Sequence, residues 1–199
     1  MTEHLLQPDV LQLAYSQGYF PMPDPQTEEI LWFSPDPRAI IPLDGLHVSR
    51  SLRRKLNQNT YRVTFNRCFS EVMKKCGNRP DTWINEEFLV AYQQMHELGM
   101  AHSVEAWQGD QLVGGVYGVH LAGAFFAESK FHTATDASKV ALYHLVQHLR
   151  KHKFSLLEVQ FMTPHLATLG AQNVPASEYR SLLRNALSKP THFPSSPKT

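Results

Sequence analysis

The run LLEVQF (residues 156–161) places a carboxylate and an amide, Glu158 and Gln160, two residues apart among apolar side chains. Residues two apart in a β-strand project to the same face, so we expect these two side chains to lie together. A strand this apolar is expected near the centre of its sheet, where the pair could act as a general base and a positioning amide. The alternative, which the residues alone favour, is a sheet end at which both side chains reach water.

A second polar pair lies in AFFAESKFH (residues 124–132), which alternates like a strand. The same spacing predicts that Glu128 and Lys130 share one face, with Ser129 and Phe131 on the other. Each pair would then lie on a strand of the same sheet. The alternative is an ion pair at a strand end, which contributes little to stability when it is exposed.

Basic residues are concentrated between positions 47 and 79, although the formal net charge of the 199-residue chain is only +1. The segment contains one acidic residue, Glu71, and these basic residues: Arg50, Arg53, Arg54, Lys55, Arg62, Arg67, Lys74, Lys75 and Arg79. Such an asymmetry indicates a polyanionic partner. A solvated basic helix face would explain the composition equally well. The aromatic residues Trp32, Trp107 and Phe131 adjoin polar or Pro/Gly segments and could stack on bases, although such side chains are more often part of the core.

Several classes of function lack support in the sequence. VGGVYG (residues 113–118) does not have the glycine spacing of a nucleotide-phosphate loop and does not lead into a helix. The two cysteines and eleven histidines show no ligand spacing typical of zinc, so we predict no metal site and no cofactor. No apolar run reaches 18 residues, and we therefore expect a protein that is cytoplasmic and has no membrane partner.

The elements that must position these residues follow from periodicity and capping signals. We predict helices over 9–17, 47–56, 66–76, 85–98, 136–152, 164–169 and 178–187. Strands are predicted around 30–33, 38–42, 61–65, 101–108, 111–120, 123–131 and 154–162, whereas 18–25 should be irregular. This order predicts an α+β protein with a mixed, largely antiparallel sheet. We divide it into a small N-terminal module (1–65), a larger C-terminal domain (66–189) and a flexible tail (190–199).

Taken together, several motifs resemble those of the leucyl/phenylalanyl-tRNA–protein transferase family, from about Leu13 to Leu187. They are GYFPM (18–22), WFSPDPR (32–38), HVSRSLRR (47–54), TWINEEFLVAYQQMHELGMAHSVEAW (82–107), LVGGVYGV (112–119), ES followed by Phe131, ASKVAL (137–142) and LATLGA (166–171). The resemblance implies a C-terminal domain of the Gcn5-type N-acyltransferase fold. It also implies transfer of Leu, Phe or Met from aminoacyl-tRNA to an N-terminal Arg or Lys of a protein, which marks that protein for degradation.

The resemblance also assigns roles to residues. It gives Glu158 and Gln160 catalytic roles and implies that Glu128 helps to hold the basic acceptor residue. Substrate-binding positions for the terminal adenosine and the amino acid would be Trp32, Trp107, Phe126 and Val116, with Lys130 beside them. Binding of tRNA would fall to the basic residues Arg50, Arg53, Arg54, Lys55, Lys74 and Lys75.

Three positions depart from the family pattern. The usual ESMFS is ESKFH here, with Lys130 and His132; the usual DCQ is EVQ, with Glu158; and Ala176 stands where an Arg commonly follows the proline. The longer Glu158 moves its carboxylate by about 1.5 Å, and a misplacement of about 1 Å can cost on the order of a hundredfold in rate. A cation at Lys130 would compete with a basic acceptor for Glu128.

These departures leave three readings open. The first is the family reaction with altered donor or acceptor specificity, for example for acidic N-termini that could pair with Lys130. The second is a non-catalytic relative that binds tRNA, and the third is a CoA-dependent acetyltransferase. The polar pair Glu158/Gln160 favours an enzyme over a binding protein, and the missing phosphate loop speaks against CoA.

Overall fold

The computed structural model describes residues 5–24, 26–27, 29–80 and 82–196. Its helices are α1 (Pro8–Ser16), α2 (Arg50–Asn57), α3 (Phe69–Gly77), α4 (Glu86–Glu97), α5 (Ala137–Lys151), α6 (Pro164–Thr168) and α7 (Ala176–Leu187). Its strands are β1 (Phe20–Pro23), β2 (Ile30–Phe33), β3 (Arg38–Ile40), β4 (Arg62–Phe65), β5 (Ala101–Gln108), β6 (Gln111–Leu121), β7 (Ala124–His132), β8 (Leu156–Glu158) and β9 (Gln172–Val174).

The local signals in the sequence explain most of these bounds. Helix α4 begins where the Asn85 side chain accepts a hydrogen bond from the Phe88 N–H at 3.1 Å, and Glu86 and Glu87 follow in its first turn. Strands β5 and β6 are joined by a tight turn in which Gly109 has a φ of 59°. The predicted helices and the meander of strands between 101 and 132 are therefore confirmed to within a few residues.

The main sheet has seven strands in the order β4-β5-β6-β7-β8-β3-β9. All its pairings are antiparallel except that of β7 with β8, which is parallel. The predicted mixed, largely antiparallel sheet of an α+β protein is thus confirmed. Strands β1 and β2 form a separate two-stranded hairpin, so the segment predicted to be irregular contains a strand.

The sheet includes strands from both sides of the predicted domain boundary at 65/66. Strand β4 pairs with β5, and β3 pairs with β8 and β9, so residues 38–40 and 62–65 are continuous with the C-terminal part of the sheet. The module 1–65 is therefore not separate in its strand pairing, although the division into domains stays a prediction in other respects.

Two apolar clusters cover the two faces of the sheet. One cluster contains Leu11 of α1, Phe69 of α3, Phe88 of α4 and Leu183 of α7; we call this side the α1 face. The other contains Leu52 of α2, Leu145 of α5 and Leu166 of α6; we call this side the α5 face. Burial of these apolar side chains supplies the main driving force for packing helices on both faces.

The described part of the predicted flexible tail, residues 190–196, packs on the α5 face instead of lying free. The Phe193 side chain is buried and stacks on His102, with ring centroids 4.2 Å apart. The Ser196 N–H donates to the Phe65 carbonyl at 3.1 Å, and the Ser196 hydroxyl accepts from the Phe65 N–H at 2.9 Å. One aromatic side chain thus anchors this Pro- and Ser-rich segment. Residues 197–199 of the predicted tail lie outside the described part of the chain, and the flexibility of the tail stays a prediction.

Candidate active site

A cavity of about 410 Å³ opens where the sheet loses a strand. Strand β8 pairs with β7 only along 124–126 and ends at Glu158, whereas β7 continues to His132. The two parallel strands leave a gap beyond this point. Its lining includes Val116, Glu128, Lys130 and Gln160 of the predicted site residues, together with side chains from both faces of the sheet. A cleft beyond the carboxyl end of parallel strands is a common place for a ligand site.

A β-bulge in β7 decides where its charged residues point. Ala127 pairs with Gly118 and Ser129 with Tyr117, so Glu128 is an extra residue between two consecutive pairs. A bulge interrupts the alternation of side chains along a strand. Gly118 is suited to this place, because a Cβ there would collide with the carbonyl oxygen of Phe126.

Because of the bulge, Glu128 and Lys130 lie on opposite faces of the sheet. Glu128 Oε1 accepts a hydrogen bond from the Tyr15 hydroxyl of α1 at 2.8 Å. Lys130 pairs in register with Val116, which packs in the cluster on the α5 face. The predicted shared face was therefore wrong, and the structure contains no ion pair between these two side chains. Both nevertheless line the same cavity, which spans the gap in the sheet.

Gln160 and Glu128 form the polar contact at the cavity wall. The Gln160 Nε2 donates to Glu128 Oε1 at 3.1 Å. Gln160 lies beyond the end of β8 and adopts the left-handed conformation, with a φ of 57°. This conformation is uncommon outside glycine and asparagine, and here it turns the amide toward Glu128. The predicted strand over 154–162 is thus limited to three residues, Leu156–Glu158.

Glu158 lies behind the cavity wall rather than in the cavity. Its side chain is 1% exposed, and Oε1 receives hydrogen bonds from Arg38 Nη1 at 2.9 Å and from the Gln160 N–H at 3.0 Å. Its other oxygen, Oε2, accepts from the Tyr179 hydroxyl at 3.2 Å. Glu158 therefore supports the backbone of Gln160. The spacing prediction brought the right two residues together, but only Gln160 reaches the cavity.

Arg38 is the fully buried cation that balances Glu158. Its Nη2 donates to the Gly18 carbonyl at 2.5 Å and to the Ser34 hydroxyl at 3.3 Å, which ties the N-terminal segment to the site. Its guanidinium carbon also lies 4.4 Å from the centroid of the Tyr179 ring. Arg38 was not among the predicted site residues, although a basic residue at the start of the apolar run RAII was a usable signal.

The acid–base properties of the site follow from its burial. Burial raises the pKa of Glu128 to about 8, and the nearby Glu158 carboxylate adds to this rise, while hydrogen bonds from Tyr15 and Gln160 oppose it. Burial also raises the pKa of Glu158, and the Arg38 guanidinium opposes the rise. In the described part of the chain, Glu128 Oε2 accepts no hydrogen bond, so this oxygen is available to a ligand.

The aromatic and apolar residues around the cavity differ from those predicted. Phe20, Met22, Trp83 and Phe161 line it, and Phe161 is 44% exposed with its ring edge against Phe20. Sequence reasoning missed these four. The side chains predicted to bind substrate here but absent from the lining are Trp32, Trp107 and Phe126.

Each of those three aromatic residues has another place in the fold. Trp32 belongs to the β1–β2 hairpin, and Phe126 is fully buried against Tyr15, with ring centroids 5.0 Å apart. Trp107 lies at the β4 side of the sheet, where its indole N–H donates to the Thr64 hydroxyl at 2.8 Å. None of the three lines this cavity, and the role in substrate binding that the resemblance gives them stays a prediction.

The basic segment 47–79 forms two surfaces instead of one. Arg50, Arg53 and Arg54 of α2 line a groove on the α5 face, and the Lys55 Nζ lies 5.6 Å from the Tyr61 ring centroid. Lys74 and Lys75 belong to α3, which packs on the α1 face. The predicted tRNA-binding residues therefore separate into an α2 set and an α3 set on opposite sides of the sheet.

Two features of the structure concern metal binding and membrane insertion. Among residues 5–24, 26–27, 29–80 and 82–196, no three side chains of the His, Cys, Asp or Glu type come together in a way that could hold a metal ion. Within the same residues, none of the helices combines the length and the apolar character that a membrane span requires.

These features define an α+β protein with a carboxylate–amide centre in a cavity between diverging strands, a site suited to general acid–base chemistry. The profile of the leucyl/phenylalanyl-tRNA protein transferase matches residues 40–184, and that of its N-terminal domain matches residues 5–36. The chain therefore belongs to the leucyl/phenylalanyl-tRNA–protein transferase family, which consists of aminoacyltransferases.

Individual relatives support the same assignment. The leucyl/phenylalanyl-tRNA–protein transferase of Herpetosiphon aurantiacus is 52% identical over 183 residues, which cover 92% of this chain and 95% of the relative. That of Akkermansia muciniphila is 49% identical over 186 residues, covering 92% and 96%. Among solved structures, L-PGS from Bacillus licheniformis aligns with a TM-score of 0.43 and 13% identity, over 80% of this chain and 55% of that one. This likeness adds nothing to the family assignment, which rests on the sequence matches.

Proposed function

We propose that this protein transfers an amino acid from aminoacyl-tRNA to the N-terminal amine of an acceptor protein, and that the bond forms in the cavity beside Glu128. The observation that carries the proposal is the contact of Gln160 Nε2 with Glu128 Oε1, at 3.1 Å, in the wall of the cavity. Membership of the transferase family supplies the reaction class.

The reaction requires that the acceptor amine be aligned with the ester carbonyl and that one proton move from the amine to the leaving ribose oxygen. The neutral acceptor amine attacks the ester carbonyl, the bond between this carbon and the ribose oxygen breaks, and one amine proton ends on that oxygen. Glu128 is suited to carry this proton, because its Oε2 is open to the cavity and its pKa, about 8, is close to that of an N-terminal amine, roughly 7.7–8.0. In this scheme Glu128 takes the proton from nitrogen and returns it to the leaving ribose oxygen.

Gln160 and Glu158 have different parts in the proposal. Gln160 fixes the Glu128 carboxylate and offers the remaining capacity of its amide to the substrates. Glu158 is a positioning residue that acts through Gln160, since it accepts the Gln160 N–H and is held by Arg38. This role tolerates Glu in place of the expected Asp, because the carboxylate need only reach backbone and Arg38.

The apolar lining suits the donor. Phe20, Met22 and Trp83 form one side of the cavity and offer stacking and apolar contact for the end of a charged tRNA. The donors expected from the family are Leu, Phe and Met, and the acceptors expected are proteins that begin with Arg or Lys. Such a product would be an N-terminal degradation signal, and we place the reaction in the cytoplasm. The Gcn5-type N-acyltransferase fold is proposed on the same resemblance.

A transfer assay with a panel of donors tests the proposal. The protein is incubated with tRNA charged with Leu, Phe or Met and with a peptide that begins with Arg, and the product is read by mass spectrometry. The expected result is a peptide extended by one residue at its N-terminus. Stable binding of charged tRNA without extension of any peptide would favour the non-catalytic reading instead.

A further inference from the structure

We infer that two cations lining the cavity, Lys130 and Arg79, form a carboxylate-binding subsite, with the Lys130 side chain on the other side of β7 from Glu128. This inference rests on the proposed transfer reaction, because its substrates would bring the carboxylate to the site. It replaces the expectation that Lys130 competes with the acceptor for Glu128, since the bulge separates the two side chains.

The position of Lys130 follows from strand register. Its partner Val116 belongs to the cluster on the α5 face, and residues paired across a ladder project to the same face. Glu128 instead hydrogen-bonds to Tyr15 on the α1 face. The Lys130 ammonium is therefore directed into a different part of the cavity from the Glu128 carboxylate and is left without that counter-charge.

The charged groups around Lys130 make this part of the cavity electropositive. Arg79 and His165 line the same cavity, and in the part of the chain that the structure describes neither Lys130 nor Arg79 forms an ion pair with a carboxylate. Burial and the nearby Arg79 lower the pKa of Lys130, and Lys130 in turn contributes to the lowered pKa of His165. A bound anion would relieve this repulsion and compensate the half-buried ammonium.

The apolar residues of the cavity wall beside these cations indicate which kind of anion would bind. Val116, Leu142 and Leu166 are apolar and line the cavity next to these cations, so water is partly excluded and charge-assisted hydrogen bonds are strengthened. A side-chain carboxylate fits a cavity of about 410 Å³ that must also hold the reacting groups. We therefore assign a carboxylate.

Two substrates could supply this carboxylate: an Asp or Glu at the start of the acceptor, or an Asp or Glu carried by the donor tRNA. Binding measurements with matched probes distinguish them. One arm compares peptides that begin with Glu or Gln, and the other compares non-reactive amide analogues of 3′-glutamyl- and 3′-glutaminyl-adenosine. Each probe is titrated against the wild-type protein, Lys130→Met and a control, Lys189→Met, in which an exposed lysine outside the cavity is replaced.

We expect the wild-type protein to bind the carboxylate probe about tenfold more tightly than the carboxamide probe in one of the two arms. The arm that shows this preference identifies whether acceptor or donor supplies the carboxylate. Lys130→Met should reduce this preference to about twofold or less, and Lys189→Met should retain it. Equal affinities for both members of each pair in the wild type would overturn the inference. So would a preference that survives in Lys130→Met, or a uniform loss of affinity for all probes and uncharged tRNA, which would indicate a phosphate contact.

A separate transfer assay keeps this inference distinct from the proposed function. Transfer of Leu to an Arg peptide together with equal binding of Glu and Gln probes would retain the function and reject the subsite. A carboxylate preference that depends on Lys130, without transfer between any donor and acceptor, would retain the subsite and reject the function.

Discussion

Gln160 Nε2 lies 3.1 Å from Glu128 Oε1, although 32 positions separate the two residues in the chain. The contact joins two irregularities of the sheet, the bulge in β7 and the left-handed turn that follows β8. It brings the amide and the carboxylate together at the cavity wall, where a substrate amine could reach the free oxygen of Glu128.

The stability of the protein should depend on pH through Glu128. Its pKa is raised from 4.5 to about 8, so between these values the native state retains a proton that the unfolded state releases. The Glu128 carboxyl therefore makes its full contribution to the free energy of unfolding below about pH 4.5. This contribution is lost as the pH rises through 8. Glu128→Gln cannot ionise and should be more stable than wild type at pH 8 by on the order of 2–4 kcal/mol.

Urea unfolding of both proteins between pH 5 and 9 measures this difference. The advantage of Glu128→Gln should be small at pH 5 and should grow toward pH 8. A pH-independent difference would mean that the Glu128 carboxyl ionises alike in the native and unfolded states.

The buried pair Arg38–Glu158 should behave as a coupled unit. Arg38→Met leaves the Glu158 carboxylate without its cation, and loss of one partner of a buried pair typically costs about 3–5 kcal/mol. The double variant Arg38→Met/Glu158→Gln removes both charges and should recover part of that loss. Denaturant unfolding of the wild type, Arg38→Met, Glu158→Gln and the double variant gives the coupling energy between the two side chains. Additive effects would show that the two side chains act independently.

Glu158→Asp separates positioning from direct catalysis. If Glu158 acts only through Gln160, a shorter carboxylate weakens the support of the Gln160 N–H and reduces kcat while the pH–rate profile keeps its shape. Steady-state kinetics over a range of pH measure both quantities. If one ionisation disappears from the pH–rate profile of Glu158→Gln, the proton relay would instead be assigned to Glu158.

The α2 and α3 basic sets predict different responses to salt. Arg50, Arg53 and Arg54 lie together in one groove, whereas Lys75 is 3.9 Å from Glu71 on the opposite side of the sheet. We expect the α2 set to contact tRNA phosphates, so that each Arg→Gln change makes the negative slope of log K against log salt shallower by about 0.7–0.9. Filter-binding titrations with the matched variants Lys74→Gln and Lys75→Gln serve as the comparison. A loss of slope confined to the α3 variants would reverse the assignment.

The C-terminal segment should contribute to stability through Phe193. Its buried side chain contacts His102 and Phe125, and Phe→Ala at such sites costs about 3–5 kcal/mol. Leu98→Ala is a suitable control, because Leu98 is 62% exposed and should change stability by less than about 0.5 kcal/mol. Equal unfolding midpoints for Phe193→Ala and wild type would mean that the segment is detached in solution.

Local signals in the sequence predicted most of the fold. Asn85 predicted the start of α4 as its N-cap residue. The alternation of apolar and polar side chains predicted the bounds of β5 through β7 to within about a residue. The bulge at Glu128 was not predictable from alternation, because it depends on the close approach of β6 at Gly118. That single extra residue reversed the face assigned to Glu128 relative to Lys130.

The site was predicted only in part, because burial and pairing arise from tertiary contacts. Spacing identified Glu158 and Gln160 as neighbours, but Arg38 lies 120 positions from Glu158 and determines that Glu158 is enclosed. Trp83 and Met22 line the cavity although no periodicity singled them out, whereas Trp107 was chosen for its aromatic ring and lies elsewhere. Residue type alone cannot distinguish an aromatic side chain at a cavity wall from one in the core.

Single-turnover kinetics directly test whether Glu128 relays the proton in aminoacyl transfer. Wild type and Glu128→Gln are each saturated with leucyl-tRNA and mixed with an Arg-initiated peptide, and the leucine-extended peptide is quantified with time. We predict a rate for Glu128→Gln that is about 10²–10³-fold lower, with unchanged affinity for charged tRNA. Equal single-turnover rates for the two proteins would contradict it.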